Sequence, residues 1–66
     1  MDVLGKRLKE CRKKIGLTQQ QVAEKISKTR ETYCRYELGT LVPDIATLAM
    51  LADIFKTSVD YLIGRY

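Results

Sequence analysis

The sequence predicts an all-α, compact five-helix domain, and three observations predict it. Apolar residues recur at three- and four-residue spacing along most of the chain, with no convincing run of strand-like alternation. Side chains suited to helix starts stand ahead of these runs at Thr18, Thr29, Asp44 and Ser58, and glycines close them at Gly16, Gly39 and Gly64. One proline and four glycines are too few for a many-turned β protein. At 66 residues there is room for one domain, 1–66, whose core must be efficient or shared with a second subunit.

The elements follow in order. Leu4, Leu8, Cys11 and Ile15 share one face of a first helix whose other face carries Lys6, Arg7, Lys9, Lys13 and Lys14. Asp2 is placed to cap its start and Gly16 to end it. Thr18 and Gln21 have capping-box spacing, and Leu17 with Val22 forms a hydrophobic staple around the same cap. A second helix from about Gln19 to Ile26 follows, burying Val22, Ala23 and Ile26 before Ser27 and Lys28 interrupt it. Thr29 caps a third helix, Arg30 to Leu38, with Tyr33 and Tyr36 inward and Arg30, Glu31, Cys34 and Arg35 outward. A loop of Thr40, Leu41, Val42 and Pro43 leads to a fourth helix, Ile45 to about Phe55, capped by Asp44 and charged only at Asp53. A helix apolar nearly all round is expected to be enclosed by other helices or by a partner. Ser58 caps a short last helix through Tyr61, Leu62 and Ile63.

Composition narrows the function. The net charge of +4 is unevenly spread: residues 1–35 hold ten Lys/Arg against four Asp/Glu, and residues 36–66 hold two against four. A basic half points to an anionic partner, and a solvated basic face is the plainer reading of the same counts. Cys11 and Cys34 are too few for a disulfide framework, and without histidine no metal site is expected. Free thiols, the absence of a secretory leader after Met1 and the absence of a long apolar run point to a cytoplasmic protein that does not enter a membrane. With no glycine-rich phosphate loop and no nucleophile at recognisable spacing from a base, neither an enzyme, a cofactor nor a small-molecule substrate is expected.

Two short helices joined by a turn of about three residues have helix-turn-helix geometry, in which the second helix presents polar side chains to the DNA major groove. The run from Leu17 to Ile26 (LTQQQVAEKI) resembles the "LTQ-x-x-(apolar)-A" opening of helix two in the Cro/cI, or Xre-type, lambda repressor-like family. The run from Thr29 to Gly39 resembles that family's recognition helix, Pro43-Asp44 matches the start of its helix four, and Ser58–Leu62 is similar to the "S-x-D-x-L" of its helix five. The likeness spans essentially the whole chain, in order and with correct spacing.

The resemblance implies double-stranded DNA as the partner and a homodimer on a pseudo-palindromic operator. It places Arg30, Glu31, Cys34 and Arg35 at base-contacting positions, and Gln19 at the position that typically holds a phosphate. Thr18, Lys28, Arg12 and Thr40 are further candidate phosphate contacts, and Arg12 also aligns with an arginine that pairs with the glutamate matching Glu37. Arginine suits guanine because its fork meets N7 and O6, and a carboxylate accepts from the cytosine amino group. First-turn residues such as Arg30 and Glu31 are equally at home on a solvated helix end. The chain departs from the family at Glu37-Leu38-Gly39-Thr40, where "E-N-G-K" is usual, and in the apolar Leu41, Val42 and Met50. These three, with Tyr61, Ile63 and Tyr66, are candidates for a subunit interface, with local packing the rival account. Two functions follow: a sequence-specific transcriptional regulator, a repressor in its simplest form, or a protein-interaction module on the same scaffold, such as an antitoxin or anti-repressor.

Overall fold

Local chemistry at the helix starts is already enough to lay out the chain. In the computed structural model, which describes residues 3–65, helices run α1 (Leu4–Lys14), α2 (Gln19–Lys25), α3 (Arg30–Leu38), α4 (Ile45–Phe55) and α5 (Val59–Ile63). At α2 the capping box is complete: Thr18 Oγ1 accepts from the Gln21 amide at 3.1 Å, and Gln21 Oε1 accepts from the Thr18 amide at 2.8 Å. Thr29 Oγ1 accepts from the Thr32 amide at 3.1 Å to start α3, and Ser58 Oγ accepts from the Tyr61 amide at 3.0 Å to start α5. Each such cap supplies a partner for one of the amides that a helix start leaves open. Asp44 occupies the cap position of α4 with an extended backbone but makes no capping hydrogen bond through its side chain. Val3 stands at the cap position of α1, and Asp2, the expected cap, lies outside the described residues.

All five helices contribute to one core. Leu8, Val22, Tyr33, Leu51 and Leu62 are its largest fully enclosed side chains, joined by Leu4, Ala23, Ile26, Tyr36, Leu48, Ala52 and Phe55. Tyr33 and Tyr36 meet edge-to-face with ring centroids 6.2 Å apart, the arrangement that sets a positive ring edge on a negative face. Ile26 is buried as expected, although α2 ends one residue before it.

One expectation is corrected and one is narrowed. Ile15 continues the periodicity of α1, but the helix stops at Lys14 and the chain turns through Gly16 at φ +77°, leaving Ile15 44% exposed rather than in the core. Helix α4 is not enclosed within the chain. It buries Thr47, Leu48, Leu51, Ala52 and Phe55, while Ile45, 83% exposed, and Met50 stand outside with Ala46 and Ala49. Its apolar character all round therefore leaves an uncovered stripe.

Helix α1 crosses the last turn of α3 at Gly5. A Cβ there would run into the Glu37 carbonyl oxygen and stand 3.0 Å from that of Tyr36, both of them backbone atoms that cannot swing aside. Gly5→Ala is expected to cost about 1–3 kcal/mol through overpacking, read as a lowered thermal midpoint. An unchanged midpoint would show that α1 can slide away from α3 freely.

Candidate nucleic-acid interface

The two helices of the helix-turn-helix are separated by residues 26–29, and Ser27 takes a left-handed conformation at φ +57° to make the turn. What sets their mutual placement is a buried ionic cluster. Arg12 of α1 meets Glu37 of α3 in a bidentate pair, Nε to Oε2 at 2.7 Å and Nη2 to Oε1 at 3.3 Å, with side chains only 11% and 4% exposed. Arg12 Nη1 donates to the Leu17 carbonyl at 3.0 Å, anchoring the turn between α1 and α2. Gln19 Nε2, at the first residue of α2, donates to Glu37 Oε1 at 3.0 Å. One carboxylate thus ties together α1, the start of α2 and the end of α3.

Burial by itself would raise the Glu37 carboxyl. The hydrogen bonds from Arg12 and Gln19, with the Tyr33 hydroxyl nearby, outweigh that and hold it below the usual carboxylate range. The same contact raises the Arg12 guanidinium further. Tyr33 Oη is enclosed beside the cluster without a hydrogen bond of normal geometry, and burial followed by the Glu37 charge pushes its phenol well up.

Against this fixed base, the outward face of α3 is open. Arg30, Glu31 and Arg35 are exposed, and Cys34 is half-buried. Together with Leu38 these four line a shallow concavity of about 470 Å³ along the helix. Glu31 and Arg35 form an i,i+4 pair, Oε2 to Nη2 at 3.4 Å. The sequence reading therefore groups its base-contacting candidates on one surface. It did not anticipate Leu38 as a member, which stands 71% exposed where the family pattern has a polar residue.

The candidate phosphate contacts divide. Lys28, in the turn, is exposed, and so is Thr40. The Gly39 and Thr40 amides, however, already donate to the Arg35 carbonyl at 3.0 and 3.1 Å, closing α3. Thr18 Oγ1 accepts in its own cap, Gln19 Nε2 donates once to Glu37, and Arg12 is engaged by Glu37 and the Leu17 carbonyl. Of the candidate interface residues, Leu41, Val42 and Met50 are exposed. Tyr61 and Ile63 are half-buried against the core, and the Arg7 guanidinium stacks 4.4 Å from the centre of the Tyr61 ring while donating to the Tyr61 carbonyl. Tyr66 lies outside the described residues. Ile45, the most exposed large apolar side chain among the described residues, went unread. It is the first residue of α4, three residues before the buried Leu48, so helical spacing alone does not mark it as exposed.

Among the described residues, no helix is long and apolar enough to cross a membrane. The fold and this surface are those of a helix-turn-helix protein, and residues 8–62 match the helix-turn-helix family model of Cro/C1 type. The chain belongs to that family. It is 44% identical over 61 residues, 92% of this chain and 53% of the relative, to YqaE of Bacillus subtilis, an uncharacterized HTH-type transcriptional regulator. It is 44% identical over 62 residues, 94% of this chain and 49% of the relative, to the HTH-type transcriptional regulator ImmR of the same organism. With the cryptic phage CTXphi transcriptional repressor RstR of Vibrio cholerae it shares 38% identity over 63 residues, 96% of this chain and 56% of that protein. The chain spans about half the length of these curated relatives.

The buried pair gives a stability prediction. Glu37→Gln leaves Arg12 enclosed without its counter-charge and is expected to cost about 3 kcal/mol in urea denaturation near neutral pH. The unfolded carboxyl takes up a proton at higher pH than the folded one, so the stability that Glu37 contributes is full above the ordinary carboxylate range and is lost as pH falls through and below it. The gap between wild type and variant should therefore narrow below about pH 4. A gap that stays constant with pH would show that packing, not charge, carries the effect.

Proposed function

We propose that this chain binds double-stranded DNA sequence-specifically as a transcriptional regulator, most simply a repressor that occludes a promoter. The observation that carries the reading is the outward face of α3, where Arg30, Glu31, Cys34 and Arg35 stand together on a helix held from beneath by the Arg12–Glu37–Gln19 cluster. The names of the relatives, all transcriptional regulators or repressors, support it. In this reading α3 enters the major groove, Arg30 and Arg35 meet guanine edges, and Lys28 and Thr40 approach the backbone. Arg12 serves from within, by holding Gln19 and Glu37 in place. The protein is a cytoplasmic binding protein rather than an enzyme, and residues 1–66 act as one domain.

The chain acts as a homodimer whose contact is the uncovered apolar run of Leu38, Leu41 and Val42 and the outer stripe of α4 at Ile45 and Met50. Exposed apolar clusters of this kind usually mark interaction surfaces. The same run favours the second reading, a module that docks on another protein, if a different chain covers it.

Selection of duplexes from a randomised pool at near-physiological salt should enrich a two-fold symmetric motif with half-sites about one helical turn, ~34 Å, apart. Arg35→Ala should cost about 1–3 kcal/mol on that motif and relax the preference at one base pair per half-site. A loss equal on all sequences would make Arg35 a phosphate ligand, and enrichment of no motif would favour the protein-docking module. Val42→Asp, at a solvent-exposed position, should shift sedimentation toward the monomer and weaken binding to the two-half-site duplex more than to a single half-site. An unshifted monomer–dimer balance would place the contact elsewhere.

A further inference from the structure

Glu31 is the odd member of the outward face of α3. The other ionic side chains there, Arg30 and Arg35, are cations, and they belong to the half of the chain that holds ten Lys/Arg against four Asp/Glu. The N-terminal end of the helix favours a carboxylate in its first turn. On a face that approaches a polyanion, however, that carboxylate is repelled by each phosphate it nears.

Its geometry gives it a task. Glu31 Oε2 lies 3.4 Å from Arg35 Nη2, one turn further along the helix, with side chains 77% and 57% exposed. An ion pair this solvated contributes little to folding. Its effect is on where Arg35 points. Turning one Nη2 proton back along the helix leaves the other guanidinium donors for an acceptor beyond the protein surface. Cys34 and Leu38, which share the concavity, offer Arg35 no competing charge. An arginine without such a restraint samples many rotamers, and near DNA its most abundant partners are phosphates, which carry no sequence information.

Resting on the DNA-binding reading above, we infer that Glu31 is a specificity-determining positioning residue: it holds the Arg35 guanidinium toward a guanine edge and away from the phosphates, and does not itself read a base. It costs the protein affinity for DNA in general and raises its discrimination between sequences.

Glu31→Gln, Arg35→Ala and the double variant, each as the full chain, are compared with wild type by duplex selection and by titration of the selected and a random duplex. The base pair that Arg35 reads is the one whose preference Arg35→Ala abolishes. Glu31→Gln should bind random duplex roughly two- to fivefold more tightly, because one charge repelled by phosphate is gone. It should lose roughly three- to tenfold in preference for guanine at the Arg35 position, a fraction of what a bidentate contact supplies. In the Arg35→Ala background, Glu31→Gln should leave every base preference unchanged. A changed preference at some other base pair, with guanine still selected at the Arg35 position, would make Glu31 a direct reader and overturn the inference. So would base preferences indifferent to Glu31→Gln, or an effect that persists without Arg35. If wild type itself enriches no motif, the DNA-binding reading falls; if wild type enriches one and Glu31 is silent, only the positioning role falls.

Discussion

The buried pair between Arg12 and Glu37 is the constraint on which the arrangement of the motif depends. Two charges placed this far from water are costly unless each finds its partner at good geometry and the leftover donors and acceptors are also satisfied. That demand is met in one way. Both Glu37 oxygens accept from Arg12, one accepts also from Gln19, and Arg12 Nη1 donates to the Leu17 carbonyl. A sliding or rotation of α2 against α3 would break one of these bonds within an enclosed site, where a lost charge-assisted bond is most costly. The backbone contact at Gly5 acts on the same turn of α3 from the other side of the crossing. The last turn of α3 is thereby clamped through both its side chain and its main chain, and the exposed face is carried on a rigid base.

The parts of the fold legible in the sequence are those governed by interactions three or four residues apart. The box of Thr18 with Gln21, the caps at Thr29 and Ser58, and the left-handed glycines ending α1, α3 and α5 each involve one turn of chain, so residue types at fixed spacing suffice to place them. Other features depend on which helix meets which. Gly5 looks in sequence like a weak point in α1; only the crossing with α3 explains it. Ile15 keeps the apolar period but falls one residue past the end of its helix, and periodicity does not see that ending. The exposure of Ile45 has the same origin, since an apolar residue on a helix apolar all round carries no mark of which side the core takes.

The site was legible to a different degree. The grouping of Arg30, Glu31, Cys34 and Arg35 follows from helical period alone and is found in the structure. The division of labour among the polar residues near them does not. Arg12 and Gln19 have the chemistry of phosphate ligands, yet both donate to Glu37 inside the chain, a matter of distances between elements rather than of residue type.

These internal engagements bear on why a dimer is the reading that fits the energetics. The end of α3 and the loop after it have Leu38, Leu41 and Val42 where polar, basic residues would add phosphate contacts, and the Gly39 and Thr40 amides are used to end the helix. That loop then adds few contacts of the kind that bind any DNA. In the proposed DNA-binding reading the discrimination of one copy rests on two arginines, each worth ~1–3 kcal/mol against the wrong base when bidentate. A single half-site then supplies about 2–6 kcal/mol and two half-sites about 4–12, against the ~4–10 kcal/mol by which specific binding exceeds non-specific binding. The apolar run that weakens the backbone grip of one copy is, on this reading, the surface that recruits the second. A dimer of the proposed kind would give up general affinity for DNA and gain selectivity by requiring two matched half-sites at once.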